Sequence, residues 1–148
     1  MKIVVGSDHA GFPMKAGLLA FLRDLGHEIV DVGSYDPQPV DFPDIARKVA
    51  GAITGGQAER GLMVCGTGVG ASIGANKMKG IRAAVCHDVH SAHQCVEHDD
   101  VNVMCIGAQI VGPWLAKDLV AAYLAARFST EEDFRRRVAK LAEMDQDR

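Results

Sequence analysis

The sequence predicts an α/β fold, a five-stranded parallel sheet covered by helices on both faces, and three observations lead there. Short apolar runs alternate with helical segments along the chain. The runs are bounded by glycine or polar residues, as strands buried on both faces should be. The length of 148 residues, with 48% apolar and 24% charged side chains, suits one domain with a substantial core.

Taken in order, Lys2–Gly6 reads as the first strand. Met14–Leu25 follows as a helix with Leu18, Leu22 and Leu25 on one face and a stop at Gly26. Glu28–Val32 is the second strand, and Gly33–Pro43, rich in proline, is the least regular loop. Asp44–Ile53 places Ile45, Val49 and Ile53 on one helical face. Leu62–Cys65 is the third strand and Ala71–Met78 the helix after it. Arg82–Cys86, Ser91–His98 and Val103–Ile106 continue the alternation. Pro113–Phe128 is a helix with proline near its first turn. Thr130–Met144 carries Phe134, Val138, Leu141 and Met144 at helical spacing, yet follows no strand. That helix is expected to pack on a partner subunit. With no internal repeat, low-complexity tract or linker, residues 1–148 read as a single domain.

A net charge of −3 gives no basic footprint, so neither nucleic acid nor an anionic membrane is an expected partner. No apolar run approaches the roughly 20 residues that span a bilayer. The N-terminus lacks the long apolar region and cleavage site of a signal peptide, and a cytoplasmic protein is expected. Cys65, Cys86, Cys95 and Cys105 form no C-x-x-C pair, so they are expected to be reduced, and the last three to be small buried residues.

In open α/β sheets the ligand lies beyond the carboxyl ends of the strands. That rule selects Ser7–Gly11, Gly33–Pro43, Gly66–Gly70 and His87–His90. The third loop, in the run CGTGVGASIGANK from Cys65, gathers backbone amides at a helix start and suits negative charge. A Walker A motif fails on spacing, and so does a tyrosine-phosphatase loop, whose arginine position is Ala71. Gly66, Gly68 and Ala71 match the dinucleotide pattern G-x-G-x-x-A, with Asp88 about 20 residues on. The match falls on the third strand, not the first. The field of the loop also favours thiolate at Cys65. A thiolate beside an oxyanion cradle can be a nucleophile or a base, and proton abstraction next to a carbonyl needs only the base and the amides. His87, His90 and His93 invite a metal reading, but a three-residue repeat drifts around a helix, and no metal is expected.

GSDHAG at 6–11, CGTGVGASIGANK at 65–77 and EHDDVNV at 97–103 together resemble the type B ribose-5-phosphate isomerases, a family that includes the galactose-6-phosphate isomerase subunits. The likeness runs from Met1 to about Phe128. It implies a Rossmann-like three-layer fold, aldose–ketose isomerisation of a phosphorylated sugar without metal or cofactor, and active sites shared in a homodimer or a dimer of dimers. Ribose 5-phosphate is the simplest substrate. Another four- to six-carbon sugar phosphate, or a dinucleotide-binding module, is the alternative. By the resemblance, Cys65 is the base, Thr67 holds or polarises it, and the amides of Gly66, Gly68, Val69 and Gly70 stabilise the enediolate. Asp8 and His9 bind the sugar, with capping of the next helix the lesser alternative for Asp8. His98, from the partner, opens the furanose ring beside Asp99, and Arg137 binds phosphate. The chain also departs from the family pattern. Asp99 stands where many members have Asn, Gln109 where some have Arg, Phe42 where a Tyr is usual, and Asp133 at the first arginine of the C-terminal R-H-x-x-R.

Overall fold

The centre of the molecule is a pair of parallel strands, β1 (Lys2–Ser7) and β3 (Arg60–Cys65), in register from Ile3 opposite Arg60 to Ser7 opposite Val64. This is seen in a computed structural model that describes residues 1–147. β2 (Glu28–Asp31) flanks β1, while β5 (Val103–Gly107) and then β4 (Ala83–Val85) extend the sheet beyond β3. All four pairings are parallel, and the order is β2-β1-β3-β5-β4. The predicted five-stranded parallel sheet is therefore present.

Side chains alternate along each strand and divide the interior in two. Ile3, Val5, Leu62, Val64, Met104 and Ile106 face one core. It is closed by α1 (Phe12–Asp24), α4 (Val89–Asp99) and α5 (Pro113–Ala125). Val4, Met63, Cys65, Val103 and Cys105 face the other, under α2 (Phe42–Thr54) and α3 (Val69–Ala75). The result is three layers, helices–sheet–helices. The expectation of strands buried on both faces holds for β3 and β5, whereas β2 and β4 are half-open because they are sheet edges.

Some boundaries move for identifiable reasons. α3 begins two residues before the expected start, because Gly68 takes the left-handed conformation (φ 81°) and caps it. α4 begins at Val89, where the Asp88 side chain accepts the Ser91 N–H at 2.7 Å. α5 stops at Ala125, and the Arg60 guanidinium donates to the Tyr123 and Ala126 carbonyls that its end leaves open. Leu25 was expected on the buried face of α1. It lies past the last turn and is exposed, and the buried face is Lys15, Leu18, Leu19 and Leu22.

α6 (Glu132–Gln146) stands outside the three layers. It lies against α4 of its own chain, where Phe134 stacks on His98 with ring centroids 3.9 Å apart. Asp145 accepts the Gly80 N–H at 2.8 Å. None of the α6 residues is fully buried, and Leu141 and Met144 remain exposed.

Candidate active site

β1 is followed by a helix on one face of the sheet and β3 by a helix on the other, so a crevice opens between their carboxyl ends. The loop leaving β1 supplies one wall. Asp8 is only 9% exposed, and its Oδ1 accepts the Gly11 N–H at 2.9 Å. Its carbonyl accepts the Phe12 N–H, so Asp8 does organise the turn that opens α1. Gly11 is required there: a Cβ at that position would sit 2.0 Å from the Val64 carbonyl oxygen of β3. His9 is exposed beside this turn, with Nδ1 3.2 Å from the Val40 N–H. A backbone N–H can only donate, so Nδ1 accepts and the proton of the neutral ring sits on Nε2.

Cys65, the last residue of β3, points toward the α2–α3 side and is 6% exposed. Its Sγ accepts the Gly68 N–H at 3.0 Å, so a donor is already aimed at the sulfur. The Thr67 hydroxyl accepts from the Val69 N–H at 3.3 Å. The first helical bond of α3 runs from the Ser72 N–H to the Gly68 carbonyl, which leaves the Val69 and Gly70 amides outside the helix ladder. Phe42 lies over Gly70: a Cβ on that glycine would come within 3.0 Å of the ring. Cys105 is fully buried on the same side, and burial pushes its thiol up, away from the charged form. Cys86 and Cys95 are buried together. The Cys95 thiol donates to the Ala92 carbonyl at 3.4 Å.

The β5 terminus braces the glycine loop from behind. The Ala108 and Gln109 N–H groups donate to the carbonyls of Cys65 and Gly66. A Cβ on Gly107 would fall 2.7 Å from the Thr67 Cα, so only glycine permits this approach. The Gly107 N–H donates to His87 Nε2 at 2.9 Å, giving that histidine a structural partner. His93 pairs with Glu97 at 3.1 Å. Among the described residues no group of three or more His, Cys, Asp or Glu side chains could hold a metal ion. Asp88, the acidic residue of the dinucleotide pattern, is engaged as the α4 cap, and the bond from the Ser91 N–H holds its carboxyl below the usual range.

Asp8, His9, Cys65, Gly66, Thr67, Gly68, Val69 and Gly70 therefore share one edge of the sheet. His98, Asp99 and Arg137 do not. α4 runs antiparallel to the strands for 11 residues, about 16 Å, and His98 lies at its far end, just before the chain enters β5. Arg137 is exposed on α6, its guanidinium carbon 5.7 Å from the centroid of the same Phe134 ring that stacks on His98. Thus the candidate residues form two groups, at opposite edges of one sheet.

A sequence model described as Ribose/Galactose Isomerase matches residues 3–141. The chain belongs to the ribose/galactose isomerase family. It is 44% identical over 127 residues to the ribose-5-phosphate isomerase B of Escherichia coli K12, an overlap covering 86% of this chain and 85% of that one. It is 40% identical over 131 residues to a D-erythrulose-4-phosphate isomerase of Pectobacterium atrosepticum, covering 86% and 85%. The solved structure of Clostridium thermocellum ribose-5-phosphate isomerase B superposes with a TM-score of 0.96 at 42% identity, covering 99% of both chains. Membership makes the chain an aldose–ketose isomerase of Rossmann-like fold, as the sequence led us to expect. In place of the dinucleotide alternative, the glycine pattern here closes over a cysteine.

Of three further residues that shape this edge, sequence reading missed Lys15. Gln109 lies against the loop, its Oε1 3.0 Å from where a Gly66 Cβ would be. His87 opens one of the four loops selected at the carboxyl edge, and its ring accepts the Gly107 N–H. Lys15 is buried at 3% exposure. The signal for Lys15 was present: it precedes Leu18 and Leu22 by three and seven residues, which puts a charge in the apolar stripe of α1.

Proposed function

We propose that the chain interconverts the aldose and ketose forms of a phosphorylated sugar, most simply ribose 5-phosphate and ribulose 5-phosphate, as one isomerase domain in the cytoplasm. The observation that carries the mechanism is Cys65 Sγ at the foot of the glycine loop, already accepting the Gly68 N–H. In this reading Sγ takes the proton from C2 of the open-chain aldose. The developing oxyanion meets the amides of Gly66 to Gly70, the electrostatic contribution that is generally largest in such sites. The thiol, whose proton exchanges with solvent while the enediolate lasts, returns a proton to C1, while the O2 hydroxyl proton moves to O1. One C–H bond breaks, another forms, and no oxidant is needed. Thr67 fixes the loop beside the sulfur, and Asp8 and His9 hold the sugar oxygens. The four free cysteines suit a reducing compartment.

The second group of residues completes the site from another copy of the chain. His98 would act as acid or base in opening the furanose ring, a role suited to imidazole. Asp99 lies beside it, and Arg137 takes the phosphate. Two observations support an interface between copies. The two groups sit at opposite edges of one protomer, and Val69 and Ile73, one turn apart on α3, are 52% and 56% exposed next to the glycine loop. The arrangement fits a homodimer or a pair of dimers.

Turnover of four- to six-carbon sugar phosphates and of the free sugars, assayed with chelator present, tests the proposal. Ketose formation from a phosphorylated aldose is expected, and its absence across the panel rejects the reading. The phosphate end gives a sharper expectation. Asp133 bonds to Arg136 at 2.7 Å, which holds its carboxyl below the usual range and leaves it ionised at neutral pH. A dianion should bind better once that negative charge is removed. Arg137→Ala should raise KM for the phosphorylated sugar by about tenfold, equivalent to about 1.4 kcal/mol. Asp133→Arg should lower KM. An unchanged KM in Arg137→Ala would mean that the phosphate is held elsewhere.

A further inference from the structure

The most deeply buried ion pair among the described residues has no part in the reaction outlined above. Lys15 Nζ donates to Asp31 Oδ1 at 2.8 Å, and its side chain is 4% exposed. It also donates to the carbonyl of Ser34. The Tyr35 ring lies 5.1 Å away and the Phe12 ring 5.9 Å away, measured from Nζ to each centroid. Asp31 Oδ1 accepts in addition from the Gly33 N–H at 3.0 Å, and the Asp31 carbonyl accepts from the Tyr35 hydroxyl at 2.9 Å. One ammonium thus joins three things: α1, the end of β2, and the first residues of the loop that follows β2. The other end of that loop supplies the Val40 N–H to His9 Nδ1.

We propose that Lys15 is a positioning residue, whose buried ammonium locks the β2–α2 loop to α1 and thereby holds His9 as the Nε2–H donor to the substrate. A buried ammonium is costly unless its donors are met, and here a carboxylate and a carbonyl meet them. That requirement leaves few arrangements of residues 31–35 relative to α1. The turn that carries Asp8 and His9 leads directly into α1, the helix that carries Lys15. The Val40 amide then selects the ring tautomer. His9 offers a proton at Nε2 where a freely turning imidazole would divide its neutral form between two tautomers. The inference rests on the proposed sugar-binding role of His9, and goes beyond it by naming what orients the ring.

The test combines histidine-ring ¹⁵N spectra in alkaline buffer with steady-state kinetics. His9 is assigned by comparison with His9→Asn. Two variants are used: Lys15→Met, and Lys15→Met/Asp31→Asn, in which no unpaired carboxylate remains. In the unaltered protein His9 should show a protonated Nε2 and an unprotonated Nδ1. In either folded variant the ring signals should move toward the mixed-tautomer average, and KM for ribose 5-phosphate should rise about tenfold with a smaller change in kcat. A protonated Nδ1 in the unaltered protein overturns the proposal before any variant is made. Unchanged ring signals and KM in a folded variant overturn it as well. If no sugar phosphate is turned over, the proposed function fails, while the ring spectrum, which needs no substrate, still decides the role of Lys15.

Discussion

Cys65→Ala should lower isomerase turnover by about 10²–10⁴-fold, the usual cost of losing a positioned general base, while the protein stays folded and still binds sugar phosphate. The fold tolerates the change because the substitution removes one sulfur at the edge of the core, next to the crevice. The glycine loop keeps its other supports, the Ala108 and Gln109 amides on the Cys65 and Gly66 carbonyls. Ligand affinity should therefore change far less than turnover. Steady-state rates and a direct binding titration on the same sample separate the two effects. Turnover within a few-fold of the unaltered enzyme would identify some other residue as the base.

His98→Ala should be comparably severe for ribose 5-phosphate, and it should be rescued in trans. Within one chain His98 and Cys65 are separated by most of the length of α4, on the order of 15 Å, so one protomer cannot bring both to one sugar. Mixing His98→Ala protein with Cys65→Ala protein under subunit exchange should create hybrid dimers with one intact site, and activity should return in part. If exchange is demonstrated and no activity returns, the shared site is wrong. The ring-opening role makes a second distinction. A tetrose 4-phosphate has its O4 esterified and cannot close a furanose ring. His98→Ala should therefore spare a tetrose phosphate and impair ribose 5-phosphate.

The carboxyl edge of the site was legible in the sequence because its determinants are local. A short apolar strand ending on Cys65, glycines with no side chain to block close approach, and a helix start place the sulfur beside the amides. The sheet itself was legible for the same reason, through the alternation of apolar runs and amphipathic helices. What escaped was set by packing between segments distant in sequence. Leu25 looked like the continuation of an apolar stripe, but α1 ends at Asp24 and leaves it exposed. The ion pair that buries Lys15 comes from Asp31, Ser34 and Tyr35, distant in sequence, which close over it. His87 acquired its partner from β5, 20 residues later in the chain. The separation of His98 from Cys65 was likewise invisible in spacing alone, since it depends on the direction of α4 relative to the sheet.

The central claim is that Cys65 moves a proton between adjacent carbons of a sugar. The most direct test is to run the reaction in D₂O with ribose 5-phosphate and locate deuterium in the product by NMR. A thiol that exchanges its proton with solvent during the enediolate's lifetime should deliver deuterium to C1 of ribulose 5-phosphate. In the reverse direction the label should appear at C2 of ribose 5-phosphate. Complete conversion with no deuterium at either carbon would contradict the account and point to direct hydride transfer.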